Sequence, residues 1–319
     1  MKKQDLYYDS KDGRTTIHAI EWIPDEAPCA VLQIAHGMVE YIDRYDRFAS
    51  VCAEQGIYVV GNDHLGHGQS VTDHEKLGYF GKPDGNAYVI SDMHTLRKQT
   101  QERFPEIPYF LLGHSMGSFL VRQYITLFGK RLAGAILMGT GYQSCTSLWT
   151  NRLLAKGIAL YKGDLDRSDL LYDRVLGAYS KAFRPAETQD DWLTRDKEII
   201  DSYADDELCQ FHFTVNGYEH MFRGLQKAQD PARIAQIPAS LPLLIISGEN
   251  DPVGDFGKGP RKIAEIYRQA GITDVTCKLY PEDRHEILNE LDRDTVDADI
   301  LAWIKERLPA QANATKDAL

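Results

Sequence analysis

Five short stretches constrain this chain more than any other feature: "AVLQIAHG" (30–37), "GIYVVGND" (56–63), "PYFLLGHS" (108–115), "LAGAILMGT" (132–140) and "LPLLIISGEND" (241–251). Each is a nearly continuous apolar run, rich in Val, Ile and Leu, that breaks off at Gly, Asp, Asn or His. A strand with one wet face alternates between apolar and polar residues. Runs without alternation are buried on both faces, which means a parallel sheet covered by helices. A sixth, more polar run, "VTCKLYPEDRH" (275–285), suits a sheet edge. "LYYDSKDGRTTIHAIEWIP" reads as an antiparallel hairpin around a Lys-Asp-Gly turn at the other edge. Helical patterns fall between the runs: "IDRYDRFASVCAEQG", "YVISDMHTLRKQTQERFP", "SMGSFLVRQYITLFGK", "GKGPRKIAEIYRQAG" and "DTVDADILAWIKERLP". Strand and helix in alternation give an α/β fold with a mostly parallel sheet flanked by helices. With 319 residues, 43% of them hydrophobic, the chain is long enough to bury a large core.

The rhythm breaks between residues 142 and 237. "CTSLWTNRLLAKGIALYKG", "DDWLTRDKEIIDSYADDELCQ" and "NGYEHMFRGLQKAQDPARIAQ" read as helices with no clear buried strand between them. The expected organisation is a first core segment (1–141), a helical cap insertion (142–237), a second core segment (238–309) and a small, polar, frayed tail (310–319). An insertion at the carboxyl end of a parallel sheet lies over the crevice where ligands bind, so it is a candidate lid.

Ser115 stands between a strand and a helix, in Gly113-x-Ser115-x-Gly117. Strand–turn–helix is the context of a nucleophile elbow, with the glycines allowing close approach of strand and helix. The Met116 N–H opens the helix and can face a developing oxyanion. A serine hydroxyl needs a base to take its proton, and the base needs an orienting acid. Asp251 follows the fifth run and His285 follows the sixth, in the order Ser, Asp, His and at the same sheet end. Glu249 remains an alternative acid. In "IAHGMVEY", His36-Gly37 turns the chain and the Met38 N–H is the candidate second oxyanion donor. His114 reads as structural. His212 and His220 lie in the insertion and are candidate pocket residues. "NDHLGHGQS" carries Asp63, His64 and His67, with His74 a few residues on, but at irregular spacing and with turn-forming glycines, so it reads as a loop rather than a metal site. In the first insertion helix, Leu148, Trp149, Leu153, Leu154 and Ile158 can form an apolar face, with Trp149 and Leu153 the candidate substrate contacts; the same face can equally pack cap onto core.

Taken in order, "AHGMVEYIDRYDRFA", "NDHLGHGQS", "LLGHSMGSF", "SGENDPVG" and "RHEILNE" resemble the α/β-hydrolases of the monoacylglycerol lipase and bacterial lysophospholipase group. The resemblance implies Ser115, Asp251 and His285 as triad, the N–H groups of Met38 and Met116 as oxyanion hole, a helical cap, and no metal or organic cofactor. The expected function is hydrolysis of carboxylic esters of single-chain lipids. Alternatives are an aminopeptidase-type enzyme, with Asp205, Asp206 and Glu207 as candidate amine ligands, a short-chain esterase of the same fold, or a non-catalytic binding protein. A dehalogenase-like enzyme would place a carboxylate at the elbow.

Charge and composition exclude other classes. A net charge of −11 argues against a nucleic-acid backbone or an anionic lipid as an electrostatic partner. The expected partner is a small-molecule ester, with transient contact between cap and lipid surface as a further expectation. The five cysteines are scattered without metal-ligand spacing. "MKKQDLYYDSKDGRTT" has no apolar signal-peptide core, and no run approaches the ~20 apolar residues of a membrane span. A reduced, cytoplasmic setting is the expectation.

Overall fold

The computed structural model describes residues 1–183 and 185–309. The expected frayed tail, 310–319, lies outside the described residues. Eight strands form one sheet: β1 (Lys2–Asp9), β2 (Thr16–Ile23), β3 (Ala30–Ala35), β4 (Ile57–Asn62), β5 (Tyr109–His114), β6 (Gly134–Met138), β7 (Leu243–Gly248) and β8 (Val275–Tyr280). Their order across the sheet is β1-β2-β4-β3-β5-β6-β7-β8. β1 pairs antiparallel with β2, and β2 with β4; every later pairing is parallel. The expected hairpin and the polar sixth run therefore form the two edges, and the β1 strand begins four residues earlier than the sequence pattern indicates.

The period of two sorts the central strands between two cores. Val31, Tyr109, Leu111, Leu243 and Ile245 face one side, with α2 (Gly85–Arg103), α3 (Met116–Phe128) and α10 (Lys258–Gln269) packed on it. Leu32, Ile34, Phe110, Leu112, Leu244 and Ile246 face the other side, covered by α1 (Asp46–Glu54) and α11 (Arg293–Lys305). Burial on both faces is why these strands carry unbroken apolar runs.

Among the described residues, six helices lie between β6 and β7: α4 (Cys145–Lys162), α5 (Asp169–Val175), α6 (Gly177–Lys181), α7 (Lys197–Asp205), α8 (Val215–Ala228) and α9 (Pro231–Ile234). α4 lies along α8, and α8 buries Tyr218, Phe222 and Leu225 in the same apolar core as α3. The insertion is thus rooted in the core through α8. The sequence pattern did not indicate α5 and α6. It also ran the helix at 190–210 too far: only 197–205 are α-helical, with Asp196 as N-cap accepting from the Glu198 N–H at 3.1 Å. Among the described residues no helix is long and apolar enough to cross a membrane.

Candidate active site

β5 ends at His114, α3 begins at Met116, and Ser115 between them has φ 52° and ψ −120°. A non-glycine residue there is strained and persists only where its surroundings fix it. The Ser115 N–H donates to the Met138 carbonyl at 2.9 Å, and its carbonyl accepts from the Ser118 N–H, also at 2.9 Å. The flanking glycines have no spare room. A Cβ on Gly113 would strike the Gly117 carbonyl, and one on Gly117 would strike the Ala35 carbonyl at the end of β3. Two backbones cross at contact distance, and only glycine permits it.

Asp251, in the loop after β7, is fully buried. Its Oδ1 lies 3.0 Å from His285 Nδ1 and accepts from the Val253 N–H at 2.9 Å, while Oδ2 accepts from Ser247 Oγ at 2.9 Å. Burial alone would raise its pKa; the His285 imidazole and these donors outweigh it and hold the carboxyl below its ordinary value. His285, in the loop after β8, is buried, and its Nε2 has no hydrogen-bond partner among the described residues. Ser115 and His285 line one cavity of about 180 Å³ together with Met38 and Met116. Glu249 is absent from this wall and lies near Arg261 on the surface.

The loop after β3 touches the elbow: a Cβ on Gly37 would stand 3.0 Å from Ser115 Cβ. Met38 and Met116 therefore flank the serine on two segments. Met116 is the first residue of α3, so its N–H has no preceding helical turn to bond to.

A buried ionic network locks these segments together, and only its proximity to the motifs could have marked it in the sequence. Glu40 Oε1 accepts from the Gly37 N–H, from Tyr45 Oη at 2.9 Å and from His114 Nδ1 at 3.0 Å. The other ring nitrogen of His114 meets the His285 carbonyl at 3.3 Å. Arg44 clamps Glu286 with two 2.9 Å bonds and reaches Glu40 at 3.2 Å. Burial opposes the charged forms, but the Glu40 carboxylate raises the pKa of His114, and His114 with Arg44 lowers that of Glu40. The loop after β3, the elbow and the loop after β8 are thereby held as one body.

The insertion lines the cavity with Tyr172, Val175, Leu176, Tyr179, Trp192 and Leu193. The Trp192 ring lies 5.0 Å from the His285 ring, and the Glu286 N–H donates to the Leu193 carbonyl at 2.7 Å. Trp149 and Leu153 are a correction to the sequence reading. Neither lines the cavity, and both are exposed on the outer side of α4 at 59% and 47%. The inner side of α4 carries Leu148 and Ala155, fully buried. His212 lines the cavity, stacked on Tyr172 at 3.9 Å, whereas His220 is buried beside Glu219 away from it. Of the acidic run, Asp206 accepts from Tyr41 Oη at 2.7 Å, and none of Asp205, Asp206 and Glu207 reaches the cavity. His64 and His67 pack against His36, in the loop after β3. Burial pushes them down to about 3 and about 4, so the rings are neutral. Asp63 is taken up by His18 at 2.7 Å and by the Ile42 and Gln69 N–H groups at 2.8 Å.

A family profile described as "Serine aminopeptidase, S33" matches residues 26–292. A monoacylglycerol lipase of Mycolicibacterium smegmatis is 28% identical, over 90% of this chain and 92% of its own length. A monoglyceride lipase of Mus musculus is also 28% identical, over 91% of this chain and 86% of its own. Among solved structures, a thermostable carboxyl esterase from Bacillus coagulans in complex with glycerol superimposes with a TM-score of 0.89 at 30% identity, covering 97% of this chain and all of that one.

Proposed function

The chain belongs to the serine aminopeptidase S33 family of α/β-hydrolases, and from that premise we propose that it hydrolyses carboxylic esters of single-chain lipids, monoacylglycerols or lysophospholipids, through an acyl-enzyme on Ser115. The observation that carries this reading is one cavity containing a strained serine and a buried imidazole whose Nδ1 faces Asp251 and whose Nε2 is unpartnered.

With its Nδ1–H donating to the Asp251 carboxylate, His285 presents a bare Nε2 lone pair to the cavity. That nitrogen takes the Ser115 proton as Oγ attacks the ester carbonyl. The N–H groups of Met38 and Met116 receive the tetrahedral oxyanion. Imidazolium then protonates the leaving alcohol, the C–O bond breaks, and water repeats the sequence on the acyl-enzyme with His285 as base. Asp251 holds the tautomer and stabilises the imidazolium.

The cavity wall supports a lipid-like acyl chain through Phe119, Val175, Leu176, Leu193 and Met221. Gln143, Gln189, Asp190 and Gln210 line the same cavity and support a hydroxylated or polar head. Trp149, Leu153, Leu160 and Tyr161 form an exposed apolar strip on the outer side of α4, which supports contact with a lipid surface. All five cysteines are free thiols, in keeping with a reducing, cytoplasmic setting.

The aminopeptidase reading has one observation behind it: Asp190 places a carboxylate in the wall, where it could hold a substrate amine. One experiment separates the readings. The specificity constant is measured for nitrophenyl esters, monoacylglycerols, lysophospholipids and aminoacyl nitroanilides, with wild type and Ser115→Ala. Turnover of the single-chain esters that vanishes in Ser115→Ala, along with fluorophosphonate labelling, is the expected result. Turnover confined to nitroanilides, or ester turnover surviving in Ser115→Ala, overturns the proposal.

A further inference from the structure

We propose that Asp283, Glu290 and Asp292 bind a hard divalent cation, Ca²⁺ by preference, which ties the loop carrying His285 to the cap. The three carboxylates bring oxygen atoms within 4.8 Å of one another. Asp283 and Glu290 are completely buried, whereas Asp292 is half exposed.

The positive charge at this cluster is too small for its negative charge. Among the described residues, Arg195, from the insertion, is the cation that touches these side chains. Its Nε donates to Glu290 Oε2 at 2.9 Å, and its Nη2 to Asp292 Oδ1 at 2.8 Å and to Asp283 Oδ1. Its Nη1 reaches the exposed Glu282 at 3.3 Å. One guanidinium thus serves four carboxylates. Glu290 is nevertheless well satisfied, because its oxygens also accept from the backbone N–H groups of Arg284 at 2.8 Å and of Arg195 and Leu291 at 3.2 Å. Asp283 is not. Its Oδ2 is buried and has no partner among the described residues. A desolvated carboxylate oxygen without a donor is costly, and a cation placed among the three side chains removes the cost.

The donor set decides the class of cation. All ligands are anionic oxygens, with no imidazole or thiolate, which favours Ca²⁺ or Mg²⁺ over zinc or copper. Asp292 opens the site to solvent, so water can complete a shell of irregular shape. Ca²⁺ tolerates such a shell, whereas Mg²⁺ demands a regular octahedron. Asp283 and Asp292 can each keep Oδ1 on Arg195 and present Oδ2 to the ion, beside the Glu290 carboxylate.

The position gives the ion its role. Asp283 lies two residues before His285, Glu290 and Asp292 lead into α11, and Arg195 follows Trp192, whose ring packs on His285. A bound ion would brace the histidine loop against the cap without touching the reacting atoms.

The test uses the full chain, stripped with chelator and dialysed. Its unfolding midpoint is followed against CaCl₂ and MgCl₂ at constant ionic strength, up to roughly 10 mM. The expected result is a saturable rise with Ca²⁺, with an affinity on the order of 10⁻⁴–10⁻³ M, and a smaller rise with Mg²⁺. Asp292→Asn should abolish the rise. Glu282→Gln, an exposed neighbour outside the trio, should retain it. Turnover at low temperature should be indifferent to chelator, while thermal inactivation should slow with Ca²⁺. A flat wild-type midpoint, or an equal rise in Asp292→Asn, overturns the site. Should Asp292→Asn fail to fold, calorimetric titration of the wild type with Ca²⁺ decides: one site per chain supports the proposal and absence of saturable heat refutes it.

Discussion

Asp251→Asn isolates the charge of the proposed acid from its geometry. Asp251 Oδ1 faces two donors, His285 Nδ1 and the Val253 N–H, whereas Oδ2 faces the Ser247 hydroxyl, which can turn to accept. An asparagine therefore settles with its oxygen at the Oδ1 position and its amide donating to Ser247. The imidazole keeps the tautomer that leaves Nε2 bare. What disappears is the negative charge beside the imidazolium that forms in the transition state. At ~4 Å between charge centres and an effective dielectric of ~20, that attraction is about 4 kcal/mol. Losing it should lower kcat about a thousandfold. The unfolding midpoint serves as the control for fold. The assay is kcat on a short nitrophenyl ester for wild type, Asp251→Asn and Glu249→Gln. If Asp251→Asn stays within roughly tenfold of wild type while Glu249→Gln collapses, the acid is misassigned and the electrostatic argument with it.

The cavity wall predicts the acyl profile. Leu176→Trp should shorten the preferred acyl chain and spare an acetate ester, with about fourfold lost in kcat/KM for each methylene excluded. Trp149→Ser should leave that profile unchanged and reduce only the rate on vesicle-borne substrate; a shifted profile in Trp149→Ser would contradict the exposed position of that side chain. Acid stability follows from the buried histidines. His64 and His67 stay neutral when folded, at about 3 and about 4, but take up protons near pH 6.5 when unfolded. Below 6.5 the unfolded state binds more protons, so stability falls as pH falls. At pH 5 the cost is about 2 kcal/mol for each ring. Asp92 and Asp283, which burial pushes up to about 6 and about 8, and His18 and His114, whose pKa values are also raised, take up protons in the folded state over the same window and offset this loss. Urea midpoints of wild type and His67→Gln at pH 6.5 and 5.0 are the measurement, and an unchanged pH dependence in the variant would refute the burial argument.

What the sequence discloses and what it hides divide along a physical line. The parallel strands and the elbow were legible because backbone geometry dictates residue type there. Strands buried on two faces must be apolar throughout, and Gly113 and Gly117 are required where carbonyls leave no room for a Cβ. The order and post-strand positions of Ser115, Asp251 and His285 follow from the same topology. The cap was less legible because its residues answer to tertiary partners rather than to a local period. Trp192 and Leu193 read as part of a helical face, yet they are apolar because they cover His285, and their carbonyls accept the N–H groups of His285 and Glu286. α4 carries apolar residues on both sides, Leu148 and Ala155 inward, Trp149 and Leu153 outward, so periodicity alone could not say which side meets substrate. α8 settles that question by claiming the inner side of α4 for packing. The insertion's share of the cavity wall falls largely to the two short helices α5 and α6, the 189–193 segment and the 209–212 segment. Short elements held by a few contacts are the ones a chain can alter without disturbing its core. Specificity in this fold is therefore written where sequence periodicity is weakest, while the chemistry is written where backbone constraint is strongest.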